Sequence, residues 1–257
     1  MTSKSRTTPL ELGPHADPEL AARYRDWLGT ATSKATDSTL GLYLDGTGLA
    51  VVEDGRIRLR PDFAGGSAGW RLSRASIKGE ALARACGLKH GRRPAIVDAT
   101  AGLGQDGLLL ARLGCRVTLI ERSPVLAALL DDALRRARLV TWLADAVARI
   151  ELVHGDARDA LAGQDSAHRP DVVYLDPMFE PDQRRGAAAK GTRLLERIAG
   201  LEGDGDDLLE PARQTAQERV VVKRHRRAEP LAGVAPDFRI NGRSTRFDAY
   251  LPAETPR

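Results

Sequence analysis

The chain has 257 residues, and 42% of them are hydrophobic. This composition excludes a globally disordered chain, and the length fits one large domain or one domain with a small appendage. The sequence contains no stretch of 18 or more apolar residues, so we expect no membrane-spanning helix, and the polar residues 1–9 do not resemble a secretory signal. We therefore expect a cytoplasmic protein with no membrane contact. The sequence does not indicate an oligomeric state.

The two cysteines bear on whether the chain binds a metal, and two basic segments bear on whether it binds a nucleic acid. Cys86 and Cys115 fit no metal-ligand spacing, so we interpret them as small buried side chains and expect no metal site. The formal net charge is +4, and basic residues crowd the segments 71–93 and 223–227. Such runs are often only solvated surface, but they also suit a polyanion. We predict nucleic-acid backbone contacts at Arg71, Arg74, Lys223 and Arg224.

The first 60 residues differ in pattern from the rest of the chain. Residues 19–28 have helical spacing, and residues 40–60 alternate apolar and polar side chains. Asp45-Gly46 and Asp54-Gly55 interrupt this alternation, as turns between short antiparallel strands do. We therefore predict a small β-rich appendage over residues 1–60 and a main domain over residues 61–257.

The main domain alternates helical and strand-like segments. Predicted helices cover residues 77–88, 107–113, 124–140, 194–198 and 208–217, and predicted strands cover residues 96–97, 116–120, 150–153, 172–175, 220–222, 238–240 and 247–251. This alternation favours an α/β Rossmann-like fold, with a mostly parallel seven-stranded sheet, helices on both faces and a closing hairpin. Ligands of such sheets bind outside the carboxyl ends of the strands.

Acidic residues stand at the ends of four predicted strands. They are Asp98, Glu121, Asp156 and Asp176. Clustered carboxylates repel one another, so a purely structural sheet would gain little from this arrangement. We therefore interpret the four as functional side chains that meet at one edge of the sheet.

A glycine-rich turn follows the first strand of the main domain. Residues 102–107 read GLGQDG and match the pattern G-x-G-x-x-G. Gly102 and Gly104 allow a sharp turn and close approach of a ligand to the backbone. Glu121, after the second strand, can accept hydrogen bonds from both hydroxyls of a ribose. These features predict a nucleotide site, but they fit a dinucleotide as well as other adenosine compounds.

Two further residues favour S-adenosylmethionine over a dinucleotide. The carboxylate of Asp98 would repel a pyrophosphate, whereas it would attract the cationic methionine part of S-adenosylmethionine. Asp156 can accept a hydrogen bond from the adenine amine, and the backbone N–H of Ala157 can donate to the adenine ring. We therefore predict S-adenosylmethionine as the cofactor.

The segment Asp176-Pro177-Met178-Phe179 follows a buried strand and resembles the D/N-P-P-F/Y loop of amino-methyltransferases. The Asp176 carboxylate and the Pro177 carbonyl could accept both hydrogens of an exocyclic base amine and direct its lone pair toward the methyl donor. Phe179 could stack on the base. We predict Asp176, Pro177 and Phe179 as the catalytic residues.

Several stretches, in order, are similar to the 16S ribosomal RNA guanine-N2 methyltransferase J family of class I S-adenosylmethionine-dependent methyltransferases. They lie at residues 97–104, 119–122, 127–131, 172–179, 208–213, 220–224 and 246–250. The resemblance implies methylation of guanine N2 at position 1516 of 16S RNA in the small ribosomal subunit. It also implies donor contacts at Gln105, Asp106, Glu121, Arg122, Asp156, Ala157 and Asp176.

Two alternatives remain open from the sequence. An adenine-N6 methyltransferase acting on RNA or DNA would use the same loop at Asp176. A non-catalytic RNA-binding assembly factor could retain the fold without turnover, although intact Asp98, Glu121 and Asp176 argue against it.

Overall fold

The computed structural model describes residues 8–29, 40–163, 169–177, 194–195, 197, 205–242 and 245–253, and these form two β-sheets. The small sheet contains β1 (Leu10–Leu12), β2 (Leu40–Asp45), β3 (Gly48–Glu53) and β4 (Arg56–Leu59), in that order. The strands β2 to β4 are the predicted antiparallel meander. The sequence did not predict β1, a three-residue strand that pairs in parallel with β2.

The large sheet forms the centre of the predicted main domain. It contains β5 (Ile96–Asp98), β6 (Val117–Glu121), β7 (Ile150–His154), β8 (Val172–Leu175), β9 (Arg219–His225), β10 (Phe238–Asn241) and β11 (Thr245–Tyr250). Its spatial order is β10-β11-β9-β8-β5-β6-β7. Strands β5 to β9 are parallel, and β11 pairs antiparallel with both β9 and β10. The predicted seven-stranded, mostly parallel sheet with a closing hairpin is confirmed.

Helices cover both faces of the large sheet. The described α-helices are α1 (Pro18–Gly29), α2 (Gly66–Ser73), α3 (Ala81–Ala85), α4 (Gln105–Arg112), α5 (Pro124–Arg138), α6 (Thr141–Val147), α7 (Ala157–Ala162) and α8 (Leu209–Thr215). Adjacent strand residues point to opposite faces. Ile96 therefore packs in one core with α4, α5 and α6, and Val97 in another with α7 and α8. None of the described helices is long and apolar enough to span a membrane.

Several predicted elements differ from the observed ones. The helix predicted over residues 77–88 is only Ala81–Ala85, and α2, α6 and α7 were not predicted. The helix predicted over residues 124–140 ends at Arg138, because Val140 is already the N-cap of α6. In the helix predicted over residues 194–198, residues 194, 195 and 197 are helical and the other two lie outside the described residues. Cys86 and Cys115 are buried free thiols, as predicted.

The N-terminal sheet and α1 pack against α5. Val125, Leu126 and Leu129 on α5 share one apolar core with strands β2 and β3 and with Tyr24 of α1. The Tyr24 hydroxyl donates a 2.9 Å hydrogen bond to Asp131 Oδ2 in this buried interface. The apolar surface of α5 is thus shared between both sheets. The domain boundary near residue 60 stays a prediction.

This interface predicts a measurable cost for removing one hydroxyl. Tyr24→Phe leaves the ring in place but deprives the buried Asp131 of a donor, so we expect a loss of about 1–2 kcal/mol in the free energy of unfolding. Chemical denaturation of both proteins measures it. Tyr43→Phe is the matched control, because the Tyr43 hydroxyl makes no hydrogen bond among the described residues. Equal stabilities for Tyr24→Phe and wild type would contradict the prediction.

Candidate active site

The predicted acidic residues meet at the carboxyl ends of the parallel strands. From β5 the sheet continues through β6 and β7 on one side and through β8 and β9 on the other. This reversal of strand order opens a crevice above the carboxyl ends of β5 and β8, where ligands of such sheets bind. Asp98 ends β5, Glu121 ends β6 and Asp176 follows β8 directly.

The glycine-rich turn connects β5 to α4 and shapes this crevice. Gly104 is the N-cap of α4 with φ +70°, and a Cβ there would lie 2.5 Å from Leu130 Cδ1. Gly102 also has a positive φ of +56°, but nothing lies within 4 Å of its hypothetical Cβ. The turn therefore requires glycine at residue 104 for packing, and at residue 102 it leaves open space beside the backbone.

Asp98 is a buried carboxylate, 2% exposed, whose Oδ1 accepts a 3.2 Å hydrogen bond from the backbone N–H of Thr100. Burial raises its pKa well above the ordinary value, and the nearby Asp106 and Asp176 act in the same direction. Such a carboxylate is stabilised by an additional positive charge. Asp98 and the open space beside Gly102 therefore fit the cationic methionine part of S-adenosylmethionine.

Glu121 holds the glycine-rich turn against β6. Its two carboxylate oxygens accept 2.7 Å hydrogen bonds from the backbone N–H groups of Gly102 and Ser123. Burial raises the pKa of Glu121 to about 7, although these N–H donors act in the opposite direction. Arg122 follows it in an exposed position. The carboxyl group of Glu121 therefore changes charge in the neutral range.

Asp156 lies at the start of α7, beyond the end of β7. Its carboxylate accepts from the backbone N–H of Arg158 and forms an ion pair with the Arg158 guanidinium at 2.5 Å. These contacts lower the pKa of Asp156 to about 2. Ala157 is the buried first residue of α7. In this structure the predicted adenine acceptor is thus already paired, with Arg158 also bonded to Asp207.

Asp106, on α4, is the centre of a second group of charges. Its Oδ1 accepts from Arg71, and its Oδ2 accepts from the Tyr174 hydroxyl and from Lys223, at 2.8–2.9 Å. The Lys223 ammonium and the Arg71 guanidinium lower the pKa of this buried acid to about 2. Lys223 also reaches Asp176. Sequence reasoning missed Tyr174, whose position one residue before the end of β8 was the available signal.

The four residues predicted to contact the nucleic-acid backbone have different environments. Arg71 is paired with Glu80 and Asp106, and Lys223 with Asp106 and Asp176. Arg224 is buried and donates to the carbonyl of Glu229. Arg74 packs over the ring of Trp70, which is 64% exposed. Of the four, Arg74 fits an exposed phosphate contact best, and the backbone-binding roles of all four stay predictions.

The loop after β8 begins beside the glycine-rich turn. The backbone N–H of Asp176 donates a 2.6 Å hydrogen bond to Thr100 Oγ1, which links the ends of β8 and β5. Pro177 is buried and packs against Gly205. Phe179, the third predicted catalytic residue, lies outside the described residues together with Met178. Gln105 is exposed in the first turn of α4, and together with Arg71 and Phe63 it lines a small pocket.

The fold, the glycine-rich turn and the acids at the strand ends together define a class I S-adenosylmethionine-dependent methyltransferase. Comparison with known proteins agrees: residues 29–252 match the family described as "Putative SAM-dependent methyltransferase". A solved SAM-dependent methyltransferase from Neisseria gonorrhoeae is 33% identical, covers 96% of this chain and 97% of its own, and superposes with a TM-score of 0.74.

Curated relatives narrow the class further. The chain is 47% identical to ribosomal RNA small subunit methyltransferase J of Thioalkalivibrio sulfidiphilus over 85% of this chain and 87% of the relative. It is 52% identical to the protein of that name from Alkalilimnicola ehrlichii over 75% and 74% of the two chains. The chain therefore belongs to the ribosomal RNA small subunit methyltransferase J family. The resemblance noted from its motifs is confirmed.

Proposed function

We propose that this enzyme methylates the N2 exocyclic amine of a guanine in 16S ribosomal RNA, at position 1516, in the cytoplasm. The observation that carries the proposal is the adjacency of two sites. The Asp176-Pro177 segment, suited to an exocyclic amine, joins the Asp98 side of the crevice through the Asp176–Thr100 hydrogen bond. The names of the relatives support small-subunit RNA as the substrate.

The donor would be held by residues on both sides of the crevice. Asp98 faces the cationic methionine part, the backbone at Gly102 and Gly104 allows close approach, and Glu121 takes the ribose hydroxyls. The remaining contacts proposed from the family resemblance are Gln105, Asp106, Arg122, Asp156, Ala157 and Asp176. Asp156 would exchange part of its contact with Arg158 for the adenine amine.

Glu121 makes donor affinity dependent on pH. An ionised carboxylate accepts hydrogen bonds at both oxygens, and the pKa of Glu121 is raised to about 7. The ionised fraction therefore grows about tenfold between pH 6 and pH 8, and we expect the affinity for S-adenosylmethionine to rise by up to about tenfold over that range. Calorimetric titration at several pH values measures it. Glu121→Gln, which cannot ionise, should show no such rise.

The raised pKa of Glu121 has the opposite effect on the stability of the donor-free protein, which should fall as the pH rises. The folded state holds the proton of Glu121 more tightly than the unfolded state, because the folded pKa is about 7 and the ordinary value 4.5. The stabilisation is therefore complete below pH 4.5 and is lost as the pH rises through 7. The difference in stability between wild type and Glu121→Gln should follow this trend. A donor affinity that is equally flat in both proteins would contradict the role of Glu121.

The bound cofactor supplies a methyl group on a positively charged sulfur. The Asp176 carboxylate and the Pro177 carbonyl accept the two N–H hydrogens of the base amine and turn its lone pair toward that methyl group. The lone pair forms the new N–C bond, the C–S bonding pair stays with sulfur, and the nitrogen releases one proton. Asp176 is the nearest proposed acceptor for that proton. The proposal assigns stacking of the base to Phe179.

The RNA must present the base unpaired or flipped out of its helix. Trp70 of α2 and Arg74, the C-cap residue of that helix, form an exposed aromatic and cationic pair, and Arg71 of the same helix contacts Asp106 in the site. Such a pair suits a base and a phosphate of single-stranded RNA. We therefore propose that α2 contributes to RNA binding through Arg74.

Nucleoside analysis tests the proposed function. Small ribosomal subunits from a strain lacking the enzyme are incubated with purified protein and S-adenosylmethionine, digested and examined by mass spectrometry, with primer extension to locate the modified base. We expect N2-methylguanosine at one position. N6-methyladenosine as the sole product would establish the adenine-N6 alternative. Donor binding without any product on subunits or naked RNA would favour the assembly factor.

A further inference from the structure

Lys223 lies inside the carboxylate cluster instead of on a basic surface. Its ammonium Nζ is 2.7 Å from Oδ2 of Asp176 and 2.8 Å from Oδ2 of Asp106, and its side chain is 28% exposed. Two of the three ammonium hydrogens are therefore committed to carboxylates. This leaves little capacity for an RNA phosphate, so the effect of Lys223 is exerted on the two acids that it bridges.

The bridge is held in place from the side away from Asp176. Asp106, which binds the ammonium, is itself fixed by the Tyr174 hydroxyl at 2.8 Å and by Arg71 at 2.9 Å. Arg71 is in turn anchored by Glu80. A hydrogen-bonded chain from α2 through α4 to β9 therefore sets where the ammonium lies, and the ammonium sets where the Asp176 carboxylate lies.

We propose that Lys223 is a positioning residue for methyl transfer: it keeps Asp176 ionised and orients its carboxylate so that Oδ1 meets the acceptor amine. This inference rests on the proposed function. Oδ2 of Asp176 is occupied by the ammonium, whereas no donor among the described residues reaches Oδ1. The backbone of Asp176 is separately fixed by Thr100, so the side chain has one anchored oxygen and one available oxygen.

Charge at Asp176 depends on Lys223 because the other near groups are mostly acidic. The titratable and charged groups around Asp176 come from five elements: Lys223 on β9, Asp106 on α4, Asp98 on β5, Tyr174 on β8 and, behind Asp106, Arg71 on α2. Burial and Asp106 raise the pKa of Asp176, and Lys223 lowers it. Without the ammonium the pKa of Asp176 would rise further, and the carboxyl group would stay protonated up to a higher pH than in wild type.

The test is the pH profile of kcat for wild type, Lys223→Met and Lys223→Arg, with the methylated product measured on small ribosomal subunits. In wild type, activity falls at low pH as Asp176 becomes protonated. For Lys223→Met we expect this acidic limb to move upward by about one pH unit or more, so that kcat at pH values on the limb falls by about tenfold and recovers at higher pH. Lys223→Arg keeps the charge, so its acidic limb should stay close to that of wild type.

Three other results would overturn the proposal. A raised KM for RNA with an unmoved acidic limb would make Lys223 an RNA contact. An equal loss of kcat at every pH, together with a lower melting temperature, would make it structural, and Lys223→Arg separates charge from folding if Lys223→Met is unstable. An acidic limb that moves equally in both variants would exclude charge as the cause. Wild type without activity on RNA would instead refute the proposed function, which distinguishes the two failures.

Discussion

Asp176→Ala is expected to lower kcat for RNA methylation by about 100-fold to 10,000-fold, while the Kd for S-adenosylmethionine changes by about threefold or less. The reason is chemical: the lone pair of an exocyclic base amine is delocalised into the ring. Without the carboxylate, one N–H hydrogen loses its acceptor and the departing proton loses its nearest base. The methionine part of the donor would still face Asp98, and its ribose Glu121.

The structure also indicates that this variant will fold. Lys223 retains Asp106 as a partner after Asp176 is removed, so no buried cation is left without a counter-charge. Single-turnover methylation of small subunits, together with calorimetric donor titration, measures the two effects separately. Asp145→Ala, at an exposed position of α6, is the matched control and should behave as wild type. Wild-type turnover by Asp176→Ala would refute the catalytic role, and loss of donor binding would show that Asp176 serves mainly the cofactor.

Asp98→Asn is expected to weaken S-adenosylmethionine binding by about 100-fold. Asparagine has the same shape and can still accept the Thr100 N–H, but it removes the negative charge that the cationic methionine part would meet. Loss of one partner from a buried charge pair costs about 3 kcal/mol or more, which corresponds to at least about a hundredfold in affinity. The expected effect lies in donor binding and not in folding.

A neutral adenosine compound provides the control for this prediction. Methylthioadenosine has the adenosine part and a neutral sulfur but lacks the amino acid, so its affinity should be nearly equal in wild type and Asp98→Asn. The pKa of Asp98 is raised by burial, so its ionised form destabilises the donor-free protein as the pH rises above the ordinary value. Asp98→Asn should therefore melt at an equal or higher temperature at pH 7. Equal loss of affinity for both compounds would instead indicate a distorted crevice.

The residues of the site differ in how far their surroundings could be predicted from the sequence. Asp98, Glu121 and Asp176 were found from their place after apolar strands, because parallel strands bring their carboxyl ends to one edge. The pairing of Asp156 with Arg158 was not foreseen, since it depends on the local turn into the unpredicted helix α7. The short α2 and α3 were missed or misjudged because they carry too few turns to show a clear period.

The basic residues show more clearly that the sequence alone does not reveal which side chains meet in space. Lys223 and Arg71 stand in segments rich in positive charge, and from the chain alone this suggested a surface for RNA. The structure places both beside Asp106, because β8 and β9 are neighbours and α2 packs near the start of α4. A run of basic residues in the sequence does not show which residue each of them will contact in the folded protein.

By itself, the sequence determined the class of fold and the cofactor, and it predicted the loop that would receive the amine. Those features depend on local rules: alternation of strands and helices, glycines at a turn, and acids at strand ends. Only the tertiary structure decided which charges meet. It joined Arg71, Asp106, Lys223 and Asp176 into one network and placed the N-terminal sheet on α5. Contacts between residues far apart in the chain depend on strand order and helix packing, and no single segment of sequence specifies these.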